Sequence, residues 1–233
     1  MHKIDDQLAK VTARIHQAAA AAGRNPQTVQ LIAVSKTQPA QALREAYTWG
    51  QRAFGENYLQ EALDKQAQLA DLEDLTWHFI GPIQSNKTRP IAEHFDWVHS
   101  VDRLKIAQRL HEQRPDKLPP LEICVQVNID DESTKSGVGL AELPALVAAI
   151  APLNRLKLRG LMAIPAVTYN QAQQRLAFAK LRLALEALNK QGHGLDTLSM
   201  GMSGDLEAAI AEGATHVRVG TDIFGARATP ETN

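Results

Sequence analysis

DTLSMGMSGDLEAAIAEGATHVRVGTDIFG, residues 196–225, joins two short apolar runs through a segment with helical spacing. The runs DTLSM and HVRVG have the length and composition of strands, whereas LEAAIAEG has the apolar spacing of a helix. Two parallel strands need a helical crossover of this kind on the outside of the sheet. The segment therefore predicts one β/α unit, with glycine in the loops that follow both strands.

The same alternation extends back along the whole chain. Together with six earlier apolar runs, it predicts eight strands, at residues 31–35, 53–56, 77–81, 96–100, 121–129, 157–164, 196–200 and 216–220. Eight such alternations favour one closed (β/α)8 TIM-type barrel domain over residues 1–233, with an open doubly wound sheet as the alternative. An amphipathic helix at residues 3–22 precedes the barrel, and the tail, 227–233, is expected to fray.

Composition restricts the classes of function. The chain has 233 residues and a formal net charge of -1, so it has no general attraction for nucleic acid or for an anionic membrane. No apolar stretch reaches the roughly 18 residues that a membrane span requires. The single cysteine, Cys124, fits a reducing compartment, and we expect a cytoplasmic protein. The eight histidines lack metal-ligand spacing, so no metal site is expected.

Candidate site residues follow most of the predicted strands. In a parallel barrel the loops after the carboxyl ends of the strands form the functional face, so residues there are candidates for binding or catalysis. They are Lys36, Glu56, Asn57, Asn128, Met162, Ser203, Gly204, Arg218, Gly220 and Thr221.

The loops after the last two predicted strands both suit an anion. Ser203 and Gly204 lie where the next helix is expected to begin, and Gly220 and Thr221 lie in the same position one strand later. Backbone N–H groups at such positions bind phosphate, and glycine allows close approach. Alone, Ser203 is better explained as a helix cap and Gly220 as a turn residue. Their occurrence after neighbouring strands favours a phosphate site.

Lys36 follows the first strand, in LIAVSKTQPA (residues 31–40). A lysine amine inside a barrel loses hydration, which lowers its pKa and leaves part of it as a free amine near neutral pH. Free amines condense with aldehydes, so Lys36 near a phosphate site predicts a Schiff base to a phosphorylated aldehyde. The alternative is a solvated lysine at the end of the strand.

Seven ordered motifs carry a family resemblance. AVSKTQP, FGENYLQE, WHFIGPIQSNK, STKSGV, LRGLMAIP, LSMGMSGDLEAAI and VRVGTDIFGAR together resemble the YggS/PROSC family of pyridoxal 5'-phosphate homeostasis proteins. The likeness extends over about residues 4–227. It implies a single-domain, alanine-racemase-like barrel with pyridoxal 5'-phosphate (PLP) on the lysine of the SK motif, Lys36.

The resemblance also implies roles for other residues. Ser203 and the backbone at Gly220 and Thr221 would hold the phosphate, while Arg218 would face the pyridine nitrogen. It also suggests that Asn57, Met162 and His78 lie near the ring. Gly204 departs from the family motif, in which aspartate is often expected, and this difference should affect the loop more than the phosphate site.

An arginine at the pyridine nitrogen restricts the chemistry. It keeps its proton and donates a hydrogen bond to an unprotonated ring, which is a poor electron sink. Racemases also need a base on each face of the substrate, and the related alanine racemases take the second from an additional domain and a partner subunit. A missing base typically costs about 10²–10⁴-fold in rate. We therefore expect PLP storage or delivery and no efficient turnover.

Two other functions stay open at this point. A PLP-dependent amino-acid racemase is the main alternative, and an aldolase-like barrel acting on a sugar phosphate is the third. The expected partners are PLP and, as recipients, PLP-dependent apoenzymes, with no nucleic acid and no membrane. We expect a monomer, and we expect Lys135 to be a solvated loop residue.

Overall fold

Eight parallel strands close into a barrel in the computed structural model, which describes residues 3–226. The strands are β1 (Gln30–Val34), β2 (Ala53–Glu56), β3 (Thr76–Phe79), β4 (Trp97–Val101), β5 (Leu121–Gln126), β6 (Leu156–Met162), β7 (Thr197–Ser199) and β8 (His216–Val219). Because β8 pairs with β1, the predicted barrel is confirmed and the alternative of an open sheet is wrong. The expectation for residues 227–233 lies outside the described residues.

Helices follow the strands around the outside of the barrel. They are α1 (Ile4–Ala21), α2 (Ala40–Trp49), α3 (Leu59–Gln68), α4 (Thr88–His94), α5 (Leu104–Gln113), α6 (Leu143–Ile150), α7 (Gln171–Lys190), α8 (Leu206–Ala211) and α9 (Thr221–Phe224). Among the described residues, none of these helices combines the length and the apolar character needed to span a bilayer.

The predicted N-terminal helix is α1. Leu8, Val11, Ile15 and Ala19 recur at the spacing of one helix face and are all buried. This face packs on α2, α8 and α9, and Gly23 follows the helix with a φ of 66°, a conformation that suits glycine. The helix therefore lies against the two elements that follow β7 and β8.

The barrel interior contains polar side chains at mid-height. His99 on β4 bonds Ser199 on β7, and since these strands are not neighbours, the bond crosses the interior. Val217 and Val219 alternate with the interior residues of β8 and are fully buried in the apolar core. Cys124 on β5 is also fully buried. Apolar packing between the strands and the surrounding helices stabilises the barrel, whereas the barrel interior contains polar side chains.

Candidate functional site

The carboxyl ends of the strands surround a cavity of about 320 Å³, which we call the mouth cavity. This volume lies within the range of small-molecule sites, about 300–1,000 Å³. Residues from the ends of β1, β2, β3, β6, β7 and β8 line it: Val34, Lys36, Thr37, Gln38, Asn57, Ile80, Ile164, Met202, Ser203, Gly204, Arg218, Gly220, Thr221, Phe224 and Gly225. The predicted cofactor-binding residues therefore meet at one cavity, with the exception of Met162.

Lys36 lies in a tight turn directly after β1. The turn is closed by the N–H of Gln38, which donates to the carbonyl of Ser35 at 3.0 Å. Thr37 has a φ of 65°, which is unfavourable for a β-branched residue. Its N–H donates to Glu61 Oε1 at 2.6 Å, which fixes this conformation. The lysine is partly buried and lies at the wall of the cavity.

A buried ionic network lies behind this turn, on the helix side of β1 and β2. Lys65 on α3 donates to the carbonyl of Ser35 at 2.7 Å, to Glu56 at 2.8 Å and to Glu61 at 2.5 Å. Ser35 Oγ also donates to Glu56, at 2.6 Å. Burial raises the pKa of Glu56, while Lys65 and Ser35 act against that rise. Glu56 is the last residue of β2 and faces α3, so its prediction as a residue of the functional face is wrong.

The loop after β7 differs in one detail from the prediction. The helix α8 begins at Leu206 and not at Ser203 or Gly204. Asp205 instead accepts a hydrogen bond from the N–H of Met202 at 2.6 Å, which closes residues 202–205 into a turn. Ser203 is therefore not the helix cap, and it lines the mouth cavity together with Gly204.

The loop after β8 approaches β1 closely. A Cβ atom on Gly220 would lie 3.1 Å from the carbonyl oxygen of Val34, which is tighter than ordinary contact. The short helix α9 begins at the next residue, Thr221, as predicted. Glycine therefore allows this loop to lie beside the turn that carries Lys36.

Arg218 lies beneath the mouth cavity and is only 3% exposed. Its guanidinium donates to Ser199 Oγ at 2.6 Å and to the carbonyl of Ala163 at 3.0 Å, and both acceptors are uncharged. Burial lowers the pKa of Arg218 to about 10, which still leaves it charged at neutral pH. A buried cation with neutral partners favours an anionic or electron-rich ligand in the cavity.

Arg218 is the first member of a polar chain across the barrel interior. Ser199 Oγ lies 2.8 Å from His99 Nδ1, and His99 Nε2 lies 2.9 Å from His78 Nδ1. Arginine can only donate, so the assignment that uses the hydroxyl proton has Ser199 donating to His99 and His99 donating to His78. His78 Nε2 then carries a proton and has no partner among the described residues. This series of hydrogen bonds fixes the orientation of Arg218.

Two residues predicted near a ligand lie deeper than expected. His78 and Met162 are both fully buried, and neither lines the mouth cavity. His78 is two residues before Ile80, which does line it, so the histidine belongs to the layer below. Asn128 was also a candidate for the functional face. Its side chain donates to the carbonyl of Glu132 within its own loop.

Asn57 lies between the mouth cavity and a second cavity of about 370 Å³. Its Oδ1 atom is buried and accepts no hydrogen bond from the described residues. Lys135 lines the second cavity and pairs with Asp130 at 2.6 Å. Asp130 in turn accepts from the N–H of Ala166, so Lys135 is tethered to the loop after β6 and is less solvated than predicted.

The sequence of this barrel is similar to curated proteins over nearly its full length. A family model described as the N-terminal domain of alanine racemase matches residues 7–228. The pyridoxal phosphate homeostasis protein of Pseudomonas aeruginosa is 67% identical over 227 residues, which cover 97% of each chain. The chain belongs to the pyridoxal phosphate homeostasis protein family. The Escherichia coli K12 protein of that name is 54% identical over 229 residues, 97% of this chain and 98% of its own.

A solved structure supports the same relationship. PipY of Synechococcus elongatus PCC7942, determined with PLP bound, is 43% identical and has a TM-score of 0.83. The match covers 95% of this chain and all of PipY. The barrel of this member of the pyridoxal phosphate homeostasis family is therefore shared with a PLP-binding protein.

Some lining residues of this family member were not predicted. Ile80, Ile164, Met202 and Phe224 are apolar, whereas most of the predicted residues are polar residues or glycines at strand ends. Their positions after β3, β6, β7 and β8 were the available signal. The ionic network around Lys65 gave little local signal. Only Glu61 and Lys65 share an element, at i,i+4 spacing on α3, whereas Ser35 and Glu56 come from other parts of the chain.

Proposed function

We propose that this protein binds PLP in the mouth cavity, held as a Schiff base on Lys36, and stores or delivers PLP with little or no turnover. The observation that carries the proposal is the meeting of Lys36, Arg218 and the two loops after β7 and β8 at one cavity. The names of the relatives and the PLP bound in PipY support it. We further propose that residues 1–233 act as one barrel domain, as a cytoplasmic monomer.

The residues present fit PLP. The cavity has room for a small aromatic ligand, and its two glycine-containing loops are suited to the phosphate. Asn57 Oδ1 is a buried acceptor that needs a donor, such as the hydroxyl of the pyridine ring. Arg218 offers a charged donor below the cavity, where the ring nitrogen would accept. Each polar group of PLP thus has a candidate partner.

PLP supplies an aldehyde that condenses with a primary amine and a ring that withdraws electrons. Lys36 supplies that amine, and its turn is held in place by Glu61 and by Lys65. Ser203, Gly220 and Thr221 hold the phosphate through a hydroxyl and backbone N–H groups. Arg218 holds the ring nitrogen in its unprotonated form, since a guanidinium charged at neutral pH donates and does not release its proton.

The lining of the mouth cavity supports a low rate of turnover. Among the described residues that line it, Lys36 and Arg218 are the titratable ones, and no histidine, carboxylate, tyrosine or cysteine is present. A racemase needs a second proton-transfer group on the opposite face of its substrate, which typically contributes about 10²–10⁴-fold in rate. The named relatives are homeostasis proteins, in agreement with storage in place of catalysis.

The proposal is tested by adding PLP to the purified protein. We expect a visible absorption band that borohydride bleaches, and reduction should leave the cofactor on the peptide that contains Lys36. Lys36→Ala should lose the band, whereas Lys135→Ala, which removes the lysine of the neighbouring cavity, should retain it. A colourless wild-type protein, or an adduct on another lysine, would contradict the proposal.

A second measurement tests delivery. The loaded protein is mixed with a PLP-dependent apoenzyme in the presence of a trap for free PLP. Activation of the apoenzyme despite the trap indicates direct transfer, whereas activation that the trap abolishes indicates storage and release. Steady turnover of an alanine or serine enantiomer at about 1 s⁻¹ or more would instead favour the racemase.

A further inference from the structure

Arg14 on α1 joins the two loops of the proposed phosphate site from outside the barrel. Its Nε and Nη2 donate to the two carboxylate oxygens of Glu207, at 2.8 and 3.0 Å. Nη1 donates to Asp222 at 2.5 Å, and Nη2 also donates to the backbone carbonyl of Ser203 at 3.0 Å. One guanidinium therefore contacts α8, α9 and the loop that contains Ser203.

These contacts add a polar connection between α8 and α9, which both also pack on α1. Glu207 belongs to the helix after β7, and Asp222 follows Thr221 at the start of the helix after β8. A guanidinium is planar and presents its donors in a rigid fork, so its acceptors must hold one relative geometry. A residue of α1 thus restrains the two loops relative to each other, in addition to the pairing of β7 with β8.

The same contacts also affect the charge beside the two loops of the proposed phosphate site. Glu207 and Asp222 place two carboxylates beside loops that are proposed to receive a phosphate, which carries about -1.5 to -2 at neutral pH. The side chains of Arg14, Glu207 and Asp222 are 34%, 43% and 36% exposed, so solvent screens these interactions in part. Without Arg14 these carboxylates would repel the incoming phosphate.

We propose that Arg14 is a positioning residue for the phosphate of PLP: it fixes the Ser203 loop relative to the Thr221 loop and neutralises the two carboxylates behind them. Arg14 does not line the mouth cavity, so it acts through the loops. The inference rests on the proposed function, because it assumes that the cavity receives PLP. It makes the N-terminal helix a determinant of affinity for phosphorylated ligands in particular.

The test compares PLP with pyridoxal, which has the same ring and aldehyde but lacks the phosphate. Dissociation constants for both are measured from the visible band, for wild type, Arg14→Gln and Arg24→Gln. Arg24 is a matched control: it also joins the N-terminal segment to α8, but at the carbonyl of Ile210, at the far end of that helix. Both substitutions remove one positive charge.

Arg14→Gln should weaken PLP binding by about tenfold or more, the usual effect of removing a group that orients a binding residue. Its affinity for pyridoxal should stay within about twofold of wild type, and Arg24→Gln should change neither value. Arg14→Lys, which keeps the charge but not the fork, should give a smaller loss for PLP alone. This last variant, checked by thermal unfolding, keeps the test available if Arg14→Gln folds poorly.

Equal losses for PLP and pyridoxal in the Arg14 variants would overturn the inference, because a general distortion of the barrel predicts that result. Unchanged PLP affinity would overturn it as well. Wild-type protein that binds neither aldehyde would contradict the proposed function itself. The two failures are therefore distinguishable.

Discussion

At the scale of single residues, Lys65 is a buried basic side chain with a complete set of hydrogen-bond acceptors. Its side chain is 4% exposed, its ammonium group has three N–H donors, and the structure provides three acceptors, on Ser35, Glu56 and Glu61. Ser35 and Thr37 flank Lys36, and both are held by this network. The position of the proposed PLP-binding lysine thus depends on a second lysine behind the barrel wall.

Lys65→Met should be strongly destabilising, because it leaves the fully buried Glu56 without its cation. Removal of one partner of a buried ion pair typically costs about 3–5 kcal/mol in the free energy of unfolding. The measurement is chemical denaturation of the protein without ligand. Arg89→Met, which removes an exposed pair on α4, should change the free energy of unfolding by less than about 0.5 kcal/mol.

The double variant Lys65→Met with Glu56→Leu distinguishes the charge from the packing. Because it removes both charges, it should be more stable than Lys65→Met alone. A double variant that is less stable than Lys65→Met would mean that the hydrogen bonds to the Lys36 turn, and not the ion pair, account for the stability.

At the scale of elements, the loop after β8 depends on Gly220. Alanine there would bring a Cβ to 3.1 Å from the backbone of Val34, which cannot rotate away as a side chain can. The loop must then shift from β1, at a cost of about 1–3 kcal/mol. We expect Gly220→Ala to raise the dissociation constant for PLP by about tenfold, measured by absorbance titration.

Gly139→Ala provides the control. The Cβ added at Gly139 would meet the carboxylate of Glu142, at the far end of a side chain that can move. PLP affinity and stability should therefore stay near the wild-type values. A Gly220→Ala protein with unchanged affinity would show that close approach of this loop to β1 is not needed for binding.

The elements were largely predictable because their signals are local. Each strand is a short apolar run, and Gly23 and Gly50 end their helices where the chain adopts a positive φ. The start of α8 was predicted too early, because Asp205 closes a turn with Met202 that sequence spacing does not distinguish from a first helical turn.

Predicting the site was harder where it depends on contacts between distant parts of the chain. Lys36 and Arg218 could be predicted because each follows or ends an apolar run at the functional face. The orientation of Glu56 could not, since it depends on Lys65 in the following helix. Likewise, the bonds of Arg14 join residues about two hundred positions apart, and no local pattern marks them.

At the scale of the whole molecule, buried histidines make stability depend on pH. Burial lowers the pKa of His216 to about 4 and lowers those of His78 and His99 well below their usual value. An unfolded histidine binds a proton below about pH 6.5. Between that value and the folded-state pKa the unfolded chain therefore binds more protons, so the free energy of unfolding falls as the pH falls.

His216→Gln isolates this effect. From pH 7 to pH 5 each fully neutral buried histidine removes about 2 kcal/mol of stability, so the variant should lose about 2 kcal/mol less than wild type over that range. The difference between the two proteins, measured by urea denaturation at both pH values, cancels opposing contributions from carboxyls whose pKa burial raises, such as Glu56 and Asp205. An identical loss of stability in both proteins would contradict a lowered pKa of His216 in the folded state.

The burial of Cys124 has a practical consequence. It is the single thiol of the chain, it is fully enclosed within β5, and burial raises its pKa to about 12. A sulfhydryl reagent can therefore modify the native protein only during openings that expose this strand. The rate of labelling therefore measures how often the native structure opens at β5. No probe has to be introduced, and the chain has no second thiol that would compete.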